Sequence, residues 1–365
     1  MDILTGGILE PLMHRQMGIC VSVYMPTRRK GTEIQHNQIQ YKNLLKKVEE
    51  SLISSDLRPS EAKDLTTPAQ ELLGDVPFWR NQNDGLALFI SEEVFRYYRL
   101  PRKFEELVVI TDRFHLKPLI PMISSNIEFY ILAISQNKVR FFECSRYQSK
   151  EITLSGIPEN ISEALNLDDF EKHSQLHTGS EDTKTNILQY FKRVDRGLRE
   201  YLKDKKAPLV FAGVDYLYPI YSETNTYPSL AERSVSGNPE GLSADELHSL
   251  TWPIVEPTFE QKKADMVAQY SQNAGTGLAS DNIEEIVRSS YHGRVGVLFV
   301  PVGVQQWGNF NPDTDEVHVS EHAKIGYEDL LDFAAIETLL NGGTVYAVEP
   351  KEVPHGSTAA AIFRY

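Results

Sequence analysis

Two hydrophobic periods alternate along this chain, and their order predicts its elements. From Phe129, FYILAISQNKVRFFECSRYQSKEITL sets apolar runs on either side of Gln136-Asn137-Lys138 and then alternates into Ile152 and Leu154. This pattern predicts a three-stranded meander, because β-branched and aromatic residues recur with polar turn residues between them. A polar loop, LHTGSEDTKTN, follows. Beyond it Ile187, Phe191, Val194, Leu198 and Tyr201 recur at three- and four-residue steps, so ILQYFKRVDRGLREYLKDKK predicts a helix with one apolar side. PLVFAGVD is then a continuous apolar run, the pattern of a buried strand. Meander, loop, helix and strand make one α/β unit with its loop at the helix N-terminus, where function is expected.

Upstream, Gly18 to Met25 reads as a strand ended by Pro26, which cannot donate to a ladder. A helix is expected from about residue 33 to 54, with Ile34, Ile39, Leu44, Leu45, Val48 and Leu52 facing inward, and a second from about 60 to 73 behind a Ser60 cap. GLALFIS, residues 94–100 and LVVITD predict three more strands. The basic turn Thr27-Arg28-Arg29-Lys30-Gly31 reads first as solvated and second as a phosphate contact.

Downstream, residues 216–257 are rich in Tyr, Pro, Ser and Gly, and predict a strand-order extension with one or two helices. Ser243 to Glu246 has the form of a capping box for a short helix, and Pro253 and Pro257 bracket an expected linker. Helices through residues 258–270 and 283–287, the strand RVGVLFVP, the helix DLLDFAAIETLLNGG with its stop at Gly342, and the strands TVYAVEP and AAAIFRY predict a three-layer α/β/α sandwich. Residues 315–322 are expected as an exposed polar loop carrying His318 and His322. The expected domains are 1–125, 126–256 and 257–365.

Composition narrows the picture. With 41% hydrophobic residues and no apolar run near the roughly 18 residues of a membrane span, an ordinary cytoplasmic protein is expected. The two cysteines, Cys20 and Cys144, sit inside apolar strands as small buried thiols. A net charge of −14 argues against nonspecific coating of nucleic acid, but it permits a local basic face. Lys192, Arg196, Arg199 and Lys203 step by four, three and four residues along the central helix, which places them on one stripe beside the apolar one. The plainer reading is a solvated flank partly neutralised by Asp195, Glu200 and Asp204; the sharper one is an RNA-facing stripe.

The order of meander, polar loop, basic helix and PLVFAGVD strand resembles the central domain of the archaeal and eukaryotic peptide release factor family, which includes the Pelota-type rescue factors. The whole chain resembles that family's bacterial relatives. The resemblance implies an N-terminal α/β domain, a central ribonuclease H-like α/β domain and a C-terminal L30e-like sandwich, with the ribosome (rRNA or tRNA) as partner; no cofactor is expected. It also exposes departures. The tetrapeptide and tyrosine-cysteine motif that read stop codons in the first domain are missing. Where release factors carry Gly-Gly-Gln in the central loop, this chain has His177-Thr178-Gly179-Ser180, and neither Gly6-Gly7 nor Gly342-Gly343 is followed by glutamine.

Other chemistry in that loop is thin. His173 and His177 lie four apart but lack further zinc ligands in a segment too polar to be securely helical. A nucleophile and base pair of Ser180 and His177 has no identifiable orienting acid, and Asp182 or Thr183 reads instead as a helix cap. A hydrolase or two-metal nuclease would draw only on Glu143 and Asp215 among the central strands. A protein-binding adaptor is the third reading. The expectation is a ribosome-associated factor of rescue, stalling response or dormancy that lacks hydrolytic release. Ribosomes loaded with peptidyl-tRNA should therefore retain their peptide when the purified protein is added, since losing one oriented donor alone costs about 10² to 10³ in rate. Peptide release that disappears on His177→Ala would restore the nucleophile reading.

Overall fold

Helix α1 (Gly6–Met13) and strand β1 (Cys20–Pro26) open the computed structural model, which describes residues 4, 6–14, 18–29, 34–123, 127–165, 181–323 and 326–365. The chain divides into two units, residues 1–125 with 263–365, and residues 126–262. In the first unit, α2 (Ile34–Ser54), α3 (Pro59–Glu71) and the short α4 (Val76–Arg80) lead to β2 (Gly85–Ile90), β3 (Phe95–Leu100) and β4 (Leu107–Thr111), followed by α5 (Ile120–Ile123). The strands pair antiparallel in the order β3-β2-β1-β4. Val21, Val23 and Met25 of β1 and Leu86, Leu88 and Ile90 of β2 share one face, where Tyr41, Leu44, Leu45, Val48 and Leu52 of α2 cover them.

One expectation shifts here. Ile39 is 60% exposed, and Asn37 takes the inward place. Asn37 lies one turn before Tyr41 on the buried stripe, and its amide bonds the backbone N–H and C=O of Arg28. In the basic turn Arg28 and Arg29 are exposed, as the solvated reading expects, and Arg29 forks onto Asp84 with Nε–Oδ1 2.8 Å and Nη2–Oδ2 2.6 Å, while Lys30 and Gly31 lie outside the described residues.

The second unit contains the predicted meander as β5 (Phe129–Ile134), β6 (Val139–Cys144) and β7 (Ser149–Ile152), then α6 (Ile161–Leu165), α7 (Glu181–Leu202), β8 (Leu209–Gly213), α8 (Leu217–Thr224) and β9 (Val235–Ser236). The sheet order is β7-β6-β5-β8-β9, antiparallel through the meander and parallel from β5 to β8 to β9. This is the ribonuclease H-like form that the resemblance implies. Because successive side chains of a strand face opposite ways, β5 feeds two cores. Tyr130, Leu132 and Ile134 pack with α7, while Phe129, Ile131 and Ala133 pack with α9 (Ala244–Asn273).

Residues 244–262 of α9 belong to this unit. The capping box forms, with Ser243 N donating to Glu246 Oε2 at 2.8 Å and Glu246 N to Ser243 Oγ at 3.3 Å. The helix it starts is 30 residues long rather than short, and it runs through the expected linker at Pro253 and Pro257. Both prolines sit on its exposed side, where the carbonyls they leave without an N–H meet solvent. Leu247, Thr251, Val255 and Phe259, four residues apart, are the buried side.

The rest of the first unit holds β10 (Ala279–Ser280), α10 (Ile283–Tyr291), β11 (Val295–Pro301), β12 (Trp307–Asn311), β13 (Glu316–Ser320), β14 (Glu328–Asp329), α11 (Leu330–Leu340), β15 (Thr344–Val348) and β16 (Ala360–Phe363). The main sheet has the order β10-β16-β11-β15, with β11 and β15 parallel. Leu298 and Val300 face α10 and α11, and Phe299 and Ile362 face Met266, Val267 and Tyr270, which makes the α/β/α sandwich expected of an L30e-like form. The expected polar loop at 315–322 is instead mostly strand: β13 pairs with β12, and His318 lies opposite Asn309. Burial of Val317 against the α11 core drives this, a period-two signal too short to stand out among charged neighbours.

A buried polar network ties residues 113–117 to the start of α11. The ammonium of Lys117, 1% exposed, reaches Asp329 Oδ2 at 2.5 Å and also donates to the Val304 carbonyl. Asp332 Oδ1 accepts from the backbone N–H of Leu116 at 2.7 Å and from that of Lys117. His115 is held on the sheet by Ser22 Oγ, which accepts its N–H at 2.9 Å, and by the Tyr24 hydroxyl, which donates to its carbonyl at 2.6 Å. Burial pushes the Asp332 carboxyl up and the His115 imidazole down from their ordinary values. Lys117→Met should lower the unfolding free energy by about 3 kcal/mol or more, because it strands the Asp329 charge without its cation. Urea denaturation of the variant measures this, and an unchanged midpoint would mean that the pair contributes nothing net.

Candidate nucleic-acid interface

Helix α7 presents two unlike sides. Ile187, Tyr190, Phe191, Val194, Leu198 and Leu202 are buried against β5 and β8. Two hydroxyls fix its roll. Tyr190 donates to the Ser135 carbonyl at 3.0 Å, and Tyr201 donates to the Glu143 carboxylate, with burial and that bond raising the phenol's pKa. Gly197 permits a close approach as well: a Cβ there would stand 2.5 Å from Ile157 Cγ1 and 3.0 Å from the Gly156 carbonyl.

With the roll fixed, Lys192, Arg196, Arg199 and Lys203 are all exposed, and Arg193 is exposed beside them. At the rise of an α-helix, residues 192 to 203 make a row about 16 Å long. Among the described residues Lys192, Arg196 and Lys203 have no ion-pair partner, whereas Arg199 Nη2 lies 3.3 Å from Asp195 Oδ2.

Asp195 differs from the solvated neutraliser expected of it. It is 5% exposed and accepts from Thr226, with the backbone N–H 2.9 Å from Oδ1 and the hydroxyl 2.9 Å from Oδ2. The carboxylate thus fastens the loop after α8 to α7. Its place was readable, since residue 195 lies four after Phe191 and three before Leu198, on the apolar stripe itself. The clasp leaves a groove of about 300 Å³ between α7 and that loop, edged by Arg199 and Lys203 and walled by Leu198, Tyr221 and Tyr227. Spacing alone did not reveal this groove, because its far wall comes from residues 221–228.

The other expected residues are placed as follows. His173, His177, Thr178, Gly179 and Ser180 lie outside the described residues. Helix α7 begins at Glu181, and the side chains of Asp182 and Thr183, expected as its cap, lie outside the described residues. Glu143 is engaged by Tyr201, and Asp215 is exposed after β8, so the two carboxylates do not share a described site. Cys20 and Cys144 are buried free thiols, and burial foremost pushes the Cys20 thiol up to about 12.

Residues 128–294, which hold this sheet and helix, match the model of bacterial archaeo-eukaryotic release factor family 3. Over that span the chain is similar to the bacterial relatives of the archaeal and eukaryotic release factors. No curated protein matches it by sequence. Among solved structures it is similar to the archaeal translation termination factor aRF1, at 15% identity and a TM-score of 0.28 over 98% of this chain and 96% of that one. Archaeoglobus fulgidus Pelota aligns at 13% identity and 0.31 over 77% and 79%. An archaeal Pelota from a ribosome-bound assembly aligns at 14% and 0.37 over 77% of each chain. No helix among the described residues is long and apolar enough to cross a membrane.

The clasp is open to a direct test. Asp195→Ala should cost about 2 kcal/mol of stability, the magnitude of hydrogen bonds to a charged group. Chemical denaturation of the second unit's transition reads it, and a loss below a few tenths would show that Thr226 is held by other contacts.

Proposed function

We propose that this chain is a ribosome-associated factor acting in rescue, stalling response or dormancy, and that it meets rRNA or tRNA through the basic row on α7. Its division into 1–125, 126–256 and 257–365 belongs to the same proposal, with the middle segment as the RNA-facing module. The observation that supports it is the exposed row Lys192, Arg196, Arg199 and Lys203 on a helix whose opposite side is locked into the sheet. A fixed local cluster can release counterions from phosphate although the chain as a whole is acidic, so binding should be salt-sensitive. Phosphate contacts of this kind position a protein without reading sequence, which suits a surface shared by many ribosomal states. The departure from Gly-Gly-Gln removes the water-orienting amide and leaves binding as the activity.

Lys192 and Arg196 give the cleaner variant, because reversing Arg199 would set a second carboxylate against Asp195. Lys192→Glu with Arg196→Glu should weaken co-sedimentation with ribosomes by about tenfold or more in low salt while the melting temperature holds. Wild-type binding by that double variant would leave the row a solvated flank. Absence of wild-type binding at every salt, across several tRNA occupancies, would favour the adaptor reading.

A further inference from the structure

The groove beside the basic row has features that a phosphate contact does not require. Its walls are mostly apolar, formed by Leu198 and Leu202 of α7 and by Tyr227 and Pro228 of the facing loop. Its volume, about 300 Å³, is at the lower end of small-molecule sites, which run from roughly 300 to 1,000 Å³. Tyr221 lines it, with no exposed surface and a hydroxyl that has no hydrogen-bond partner among the described residues. A buried hydroxyl without a partner is costly, and it is satisfied most simply by a polar atom brought into the groove from outside. Arg199 and Lys203 stand at the mouth, where anionic groups flanking the inserted one would lie.

Resting on the reading of α7 given above, we infer that this groove takes an unpaired nucleobase of the bound RNA. The combination fits that class of ligand. A base offers a flat apolar face to Leu198, Leu202 and Tyr227, a polar edge to the Tyr221 hydroxyl, and phosphates on either side to the two cations. Asp195 does not oppose this, since its oxygens are turned onto Thr226 and Arg199. The groove would therefore favour bulged or looped RNA over continuous duplex, which the basic row alone does not distinguish.

Two RNA hairpins of equal length test the inference on the full chain, one wholly paired and one with a single bulged 2-aminopurine. The bulged hairpin should bind about tenfold tighter at the same salt, with a change in 2-aminopurine fluorescence on binding. Tyr221→Phe should reduce that advantage, and Pro228→Trp, which fills the groove from an exposed position, should bring the bulged hairpin down to the affinity of the paired one. Equal binding of the two hairpins by wild type overturns the base site while leaving the basic row intact. An advantage that survives both substitutions also overturns it. If neither hairpin binds even at low salt, the basic row itself fails and this inference falls with it.

Discussion

The parallel pairing of β8 with β5 is the constraint from which the second unit follows. Antiparallel neighbours can be joined by a tight turn, but parallel ones require the chain to cross back over the sheet. Here the meander ends at β7 on one edge, and α7 makes the return, so the helix must lie across β5 and β8 with its apolar residues inward. Once Phe191, Val194 and Leu198 are buried, 3.6-residue periodicity assigns the cations to the outside. The basic row is exposed because the strands are parallel.

This dependence explains how much was legible in the sequence. The meander, α7 and β8 carry strong period-two, period-3.6 and continuous apolar signals, and each was read at nearly its observed place. So were β1 to β4, β11, β15 and β16 of the first unit. What escaped depended on partners distant in sequence. Lys117 and Asp329 are 212 residues apart, and neither sits in a pattern that marks it as buried. Val317 and Phe310 reach the same core through a hairpin whose exposed residues are mostly polar. The linker expected at Pro253 and Pro257 gave way to a helix because burial of Leu247, Thr251, Val255 and Phe259 on one side outweighs two prolines on the other.

The candidate interface divides in the same way. Its cations were legible from spacing, since four residues on one helix need only that helix to form. Its groove was not, because it requires the loop at 225–228 to be pinned by an acid that sequence reading placed among solvent-facing charges. An acidic residue on an apolar stripe is the signal that deserved more weight. A carboxylate rarely occupies such a place without donors to meet it.

Asp195 also bears on how the surface can work. A row of cations on an isolated helix would be free to rotate and fray, and ordering it on RNA would cost conformational entropy. The clasp to Thr226, the Tyr190 and Tyr201 hydroxyls and the close approach at Gly197 all fix the roll of α7 before any ligand arrives. The same clasp holds open the space beside Tyr221. Preorganisation of the cations and formation of the groove thus come from one buried acid, so a change at Asp195 would alter both together, whereas a change at Lys192 or Arg196 would alter charge alone.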